Sequence, residues 1–324
     1  MDNLNSLPRL PLAHVPTPIE ALPRLSEALN GPVLMIKRDD QTGLAFGGNK
    51  TRKLELLAAE ASLHSTRTLI TRGAAQSNHC RQTAAAAAKC GFGCTLVLAG
   101  DCPEKFTGNL LLDHILGADL IWTGERDPEA VLQETFAALG EAGAAPFLIP
   151  YGGSNPTGAL AYTLAMKEWL AQETPADRIV FATSSGGTQA GLILGAKIYG
   201  FNGRITGISV DKPASILGPE VVRLANDIAA KIKFSGSIKP EDVEIIDKYL
   251  GEGYGVIGEP ETEAIKLFAQ TEGILLDPVY TGRAAAGLID CIRKGIFPST
   301  EKILFWHTGG TPGLFAYAEE LSAP

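Results

Sequence analysis

Short apolar runs that alternate with helical stretches do most to narrow the fold of this 324-residue chain. Runs at 68–71, 94–98, 119–122, 147–149, 178–183, 205–210 and 302–306 read as strands. Stretches at 54–61, 81–89, 109–116, 128–139, 159–170, 192–199, 221–231, 260–272 and 284–294 read as helices. Strands that alternate with helices imply right-handed βαβ units, so the expected fold class is α/β with parallel sheets. A further short run, 33–36, reads as a buried strand leaving its sheet at Lys37-Arg38-Asp39-Asp40. Those four charges form either an ion-pair cluster or a plain strand end, and the plain end is expected. A domain change is best placed near Pro150.

Charge and composition exclude several function classes. The formal net charge of −8 gives no electrostatic case for nucleic acid. No apolar run is long enough to cross a bilayer, and Met1-Asp2-Asn3-Leu4 does not open like a secretory signal. The five cysteines, Cys80, Cys90, Cys94, Cys102 and Cys291, are odd in number and form no zinc spacing. They suit free thiols in a reducing, cytoplasmic setting. No two of the five histidines stand at helical spacing, so no metal site is expected.

Five glycine- or hydroxyl-rich turns carry the candidate chemistry. The first is Gly47-Gly48-Asn49-Lys50-Thr51-Arg52-Lys53, followed at once by a helical run. With Asn49 as N-cap, Lys50 falls on the first helical turn, where the helix dipole opposes a positive charge. Lys53 lies one turn on; its charge is expected to push Lys50 further towards the neutral amine, and it could meet an anion at the helix start. A neutral lysine can attack a carbonyl, although a pair of solvated surface lysines fits the same residues. The second, Ser185-Gly186-Gly187-Thr188, sits between a strand and a helix, where successive N–H groups make an anion cradle. It follows neither the dinucleotide nor the P-loop pattern and better suits a single phosphate; a tight turn with packing glycines is the plainer reading.

The third, Gln76-Ser77-Asn78-His79, could bind a carboxylate through hydroxyl, amide and backbone N–H, or could simply cap a helix. No nucleophile-elbow pattern surrounds Ser77, which excludes a hydrolase triad there. The fourth, Asp277-Pro278-Val279-Tyr280, offers a tyrosine that either anchors a loop or acts as an acid, and Tyr254 within Gly253-Tyr254-Gly255 offers a second. The fifth, His307-Thr308-Gly309-Gly310-Thr311, ends the last strand at its carboxyl end, where open parallel sheets bind ligands. Taken together, a lysine able to form an imine, a monophosphate cradle, a carboxylate site and acid/base hydroxyls fit pyridoxal 5'-phosphate acting on an amino acid.

These motifs, in this order along nearly the whole chain, resemble the D-cysteine desulfhydrase and 1-aminocyclopropane-1-carboxylate (ACC) deaminase family of fold type II pyridoxal-phosphate enzymes, related to the tryptophan synthase β subunit. The resemblance implies two parallel-sheet, three-layer α/β domains with the cofactor in the cleft between them. Residues 1–45 and 151–324 would form the large domain and 46–150 the small one. It implies Lys50 as the Schiff-base lysine and Asn78 as partner of the cofactor's 3'-oxygen. Lys53, Ser185, Gly186, Gly187 and Thr188 would form the phosphate site and Thr308 the partner of the ring nitrogen. Ser77, with Gln76, Asn78 and His79 beside it, would receive the substrate, and Tyr280 and Tyr254 would be the active-site tyrosines. A homodimer is the implied assembly.

ACC deaminases resemble one another in a Glu after the active-site tyrosine and a Leu before the late Gly-Gly, where this chain has Thr281 and Thr308, as desulfhydrases do. The reaction this implies is α,β-elimination from D-cysteine to pyruvate, hydrogen sulfide and ammonia. ACC deaminase, L-cysteate sulfo-lyase and a binding module without turnover are the alternatives.

Overall fold

The computed structural model describes residues 7–322. Strand β1 (Ile19–Ala21), helix α1 (Pro23–Ala28) and strand β2 (Val33–Arg38) come first. Helix α2 (Asn49–Ser62) then opens a βα series: β3 (Thr68–Gly73), α3 (Asn78–Cys90), β4 (Gly93–Leu98), α4 (Gly108–Ile115), β5 (Asp119–Trp122), α5 (Pro128–Glu141) and β6 (Pro146–Leu148). A second series runs through α6 (Pro156–Ala171), β7 (Arg178–Thr183), α7 (Gly187–Tyr199), β8 (Arg204–Ser209), α8 (Ala214–Lys231) and β9 (Glu244–Ile246). It ends with α9 (Glu259–Glu272), α10 (Thr281–Arg293), β10 (Lys302–His307) and α11 (Ala318–Ser322).

The strands form two separate sheets. One has six strands in the order β1-β2-β10-β7-β8-β9, and the other has four in the order β5-β4-β3-β6. Every pairing is parallel except that of β1 with β2. Both sheets are covered on both faces, as their apolar strands require. In β7, Ile179 and Phe181 pack with α6, α7 and α8, whereas Val180 and Ala182 pack with α1, α9 and α10. In the smaller sheet, Leu96 and Leu98 face α2, α3 and α4, and Val97 faces α5. Helices α6 and α7 cross closely because Gly191 and Gly195 lack side chains; a Cβ at Gly195 would sit 2.6 Å from that of Met166.

Two expectations change. β1, α1 and β9 were not foreseen: β1 and β9 have three residues each, too few for an alternation to show, and α1 has six and starts at a proline. The charges at 37–40 are not a plain strand end. Asp39 is fully buried and accepts from Arg52, Thr17 Oγ1 (2.9 Å) and Tyr162 Oη (2.6 Å). Glu168 accepts from Lys37 Nζ (2.7 Å) and Arg52 Nη1 (2.8 Å). Burial alone would raise the Asp39 carboxyl, but the Arg52 charge and its hydrogen bonds outweigh that and hold it below its usual value.

This cluster ties the first turn of α2 to β2 and α6, which fixes Lys50 two residues before Arg52. Arg52→Ala would leave Asp39 buried without its counter-charge, so the expected loss of stability is about 3–5 kcal/mol. A fall in the urea midpoint checks it; an unchanged midpoint would show the cluster to be dispensable.

Candidate active site

The carboxyl ends of the parallel strands converge, and the connections that leave them line one cleft. It encloses roughly 590 Å³ including its open mouth, within the range of small-molecule sites. Lys50 and Asn49 enter from α2, and Ser77, Asn78 and His79 from the turn after β3. Ser184, Ser185, Gly186 and Thr188 come from the turn after β7, Tyr280 from the start of α10, and Thr308 from the end of β10.

Local backbone chemistry brings these turns together. The residue capping α2 is Gly48 at φ 126°, with no side-chain cap, and not Asn49. Asn49 is the first helical residue: its backbone N–H donates to Thr308 O (2.9 Å) and its Nδ2 to Thr188 Oγ1 (3.1 Å). One asparagine thus joins three of the five turns. Gly309, at φ +91°, has room only for hydrogen, since a Cβ there would lie 2.6 Å from Gly48 Cα. Helix α7 begins at Gly187, directly after the left-handed Gly186, so its free N–H groups point at the cleft.

Burial holds the Lys50 amine down to about 8, against the opposing charge of Asp211. The expected direction is therefore present, but its cause differs: Lys53 favours charge on Lys50 through a hydrogen bond. Lys53 is itself held well below the ordinary lysine value, by burial first and by Lys50 second. Its N–H groups serve Gly152 O (3.0 Å) and Ser154 Oγ (3.3 Å). Lys53 lies behind the glycine turn, where a Cβ on Gly187 would meet its Nζ at 2.9 Å.

Ser77 caps α3, with Oγ accepting from Cys80 N (3.2 Å). Asn78 Oδ1 accepts from Asn109 Nδ2 (2.8 Å), which leaves Asn78 Nδ2 as a donor without an acceptor among the described residues. His79 is neutral, since burial drives its pKa well down. Its Nε2 bonds Thr71 Oγ1 (2.9 Å), while Nδ1 is buried with no partner among the described residues. Tyr280 Oη and Tyr254 Oη lie 2.6 Å apart. Burial, then Tyr254 and Tyr151, raises Tyr280 well above the ordinary phenol value, so it keeps its proton.

The structure does not bring every expected side chain to the cleft wall. Gln76 turns away to Thr107 O (3.0 Å) and Asn109 N (2.9 Å). Tyr254 reaches the cleft through Tyr280, and Lys53 and Gly187 stand behind the wall residues. Tyr151, Thr183 and Ser184 line the cleft and were not foreseen. Ser154, also missed, bridges to Ser185 Oγ at 2.8 Å. The Gly152-Gly153 pair after a strand was the available signal for Tyr151 and Ser154. Asp211, which holds Ser184 Oγ at 2.7 Å, follows its strand with no motif around it.

Comparisons with known proteins agree on the family. Residues 10–309 match the family described as pyridoxal-phosphate dependent enzyme. The chain is 43% identical to a D-cysteine desulfhydrase from Klebsiella pneumoniae over 99% of both sequences. A crystal structure of an ACC deaminase homologue superposes with a TM-score of 0.91 at 39% identity, over 98% of this chain and 96% of that one. A fungal L-serine ammonia-lyase from Rhizomucor miehei shares the fold, with a TM-score of 0.70 at 15% identity, over 95% of this chain and 98% of that one.

Proposed function

The chain belongs to the pyridoxal-phosphate dependent enzymes, and we propose that it is a lyase that splits D-cysteine into pyruvate, hydrogen sulfide and ammonia. The observation that carries this reading is the make-up of the cleft wall. Lys50, Ser77, Tyr280 and Thr308 share it, and no carboxylate lines it among the described residues. Thr281, the position where ACC deaminases resemble one another in a Glu, is occupied elsewhere: its Oγ1 donates to Asp277 Oδ1 (2.7 Å) and accepts from Asp277 N (2.8 Å). A hydroxyl opposite the ring nitrogen supports a weaker electron sink, enough to expel sulfide but poorly matched to opening a cyclopropane.

The residues present fit the cofactor. His79 Nδ1 and Thr183 Oγ1 are buried cleft atoms without partners among the described residues. The cradle at 185–188 stays open because position 152 is glycine: a Cβ there would lie 2.4 Å from Ser185 Oγ. Lys50 would anchor the cofactor, Asn78 Nδ2 would meet its 3'-oxygen, Ser185, Gly186, Gly187 and Thr188, backed by Lys53, its phosphate, and Thr308 its ring nitrogen. When bound, the cofactor stabilises negative charge at the substrate's Cα.

The chain supplies orientation and proton transfer. Ser77 and the N–H groups at the start of α3 hold the substrate carboxylate, which fixes the Cα–H bond. Lys50, with its depressed pKa, takes the Cα proton at Nζ. Tyr280 gives its phenolic proton to the departing sulfur, with Tyr254 hydrogen-bonded behind it. The aminoacrylate released takes up water to give pyruvate and ammonia, which balances the reaction. Residues 46–150 as the small domain, a homodimer and a cytoplasmic setting belong to the same proposal.

The test is a panel of D-cysteine, L-cysteine, ACC, L-cysteate and D-serine, read by keto-acid release. Pyruvate and sulfide should appear fastest from D-cysteine. Faster keto-acid release from ACC or L-cysteate would transfer the assignment to that substrate, and cofactor binding without turnover of any would support a binding module.

A further inference from the structure

Arg283 breaks a rule of helix chemistry. It lies in the first turn of α10, three residues after Tyr280, where the helix dipole disfavours a positive charge, and it is about 1% exposed. Its donors reach five acceptors, three of them in one loop. Nε donates to Glu261 Oε1 (2.8 Å), and Nη1 to the carbonyls of Val210 (3.1 Å), Leu250 (2.8 Å) and Gly253 (3.0 Å). Nη2 donates to the carbonyl of Val256. Three of those carbonyls flank Tyr254 on both sides.

The loop itself has little else to hold it. Gly251, Gly253 and Gly255 all take positive φ, at 60°, 140° and 79°. Among the described residues, Arg283 and Tyr280 are the side chains that hydrogen-bond residues 250–256. One helix end therefore presents Tyr280 and, one turn on, the guanidinium that gathers the loop carrying its partner. A guanidinium is suited to this because its five N–H donors lie in a rigid plane.

We propose that Arg283 is the positioning residue of the tyrosine pair: it clamps the 250–256 loop so that Tyr254 Oη meets Tyr280 Oη, and it acts on the reaction through Tyr254. This rests on the function proposed above for the same cleft.

The test is a double-mutant cycle with Tyr254→Phe, run on whichever amino acid of the panel the wild type turns over fastest. The wild-type panel reports on the proposed function, and the cycle reports on the clamp. Tyr254→Phe and Arg283→Lys are each expected to lower kcat about tenfold, the scale of one lost hydrogen bond to a reacting group, with KM and the visible cofactor band nearly unchanged. The double variant should be no slower than the slower single variant. Amide hydrogen exchange across 250–256 should quicken in Arg283→Lys, with or without cofactor.

Gly253→Ala serves if Arg283→Lys does not fold. Its Cβ meets nothing within 4 Å, so it strains only the loop backbone, and its loss should likewise vanish in the Tyr254→Phe background. Losses that multiply in the double variant, a Tyr254→Phe enzyme as fast as wild type, or unchanged exchange would each overturn the proposal.

Discussion

Lys50→Ala is expected to lose D-cysteine turnover by at least about 10⁴-fold. That is the upper end of a positioned proton transfer, and the covalent anchor for the cofactor goes with it. The wild-type protein should be yellow, with visible absorbance that borohydride abolishes. The reduced protein should carry the added mass on the peptide containing Lys50; the alanine variant should show neither. The lowered pKa makes the same point without catalysis. An ordinary lysine at 10.5 leaves roughly 0.3% of its amine neutral at pH 8, whereas a group at about 8 is half neutral there. Only the neutral amine attacks a carbonyl, so the rate at which cofactor-free protein regains its colour should rise through pH 8 and level off above it. A variant that keeps borohydride-reducible cofactor on another lysine would remove Lys50 from the site, and a rate still rising at pH 10 would show that the cleft does not depress it.

The turns that form the cleft were legible because each carries its own local chemistry. Gly186 and Gly187 announce a helix start with bare N–H groups, and Ser77 announces a cap. Thr308 is marked by the glycines after it, whose positive φ few other residues adopt. The strands β5 and β7 have the bounds read from the sequence; for β7 that is because a continuous apolar run between turn residues is what a strand covered on both faces requires. Interactions that depend on distant partners left no such trace. Whether Asp39 ends a strand or sits in a buried network is decided by Arg52 and Tyr162, 13 and 123 residues away. Asn49 looked like a cap because the type of residue favours that role; its partner at Thr188 lies 139 residues on. Dipole and neighbour charge predict a lowered Lys50 pKa, but burial is what lowers it while Lys53 acts the other way, and burial is a property of the assembled fold. Gln76 was grouped with Ser77 by adjacency, but consecutive residues around a turn point in different directions, and its amide found α4 instead.

Tyr280→Phe is expected to slow D-cysteine elimination by about 10²–10⁴-fold while keeping the cofactor's colour, because it removes a proton from the leaving-group side of the cleft and nothing from the anchor. The phenol is suited to that role. Burial and its tyrosine neighbours keep its proton well above the ordinary pKa of 10.0, so it remains a donor across the working pH range, and no loss of rate from its ionisation should appear below about pH 10. The 2.6 Å contact with Tyr254 fixes the hydroxyl while leaving the pair one proton to give. The size of the effect should depend on what departs. Sulfide is a strong enough base to need a proton as its bond breaks; chloride is not, so β-chloro-D-alanine should lose much less than D-cysteine in the same variant. Equal slowing of both substrates would place Tyr280 away from the leaving group and pass the role to Tyr254 or Ser77. The substrate ratio is decisive because a fold-level disturbance would slow both substrates alike, whereas a missing proton slows only the one that needs it.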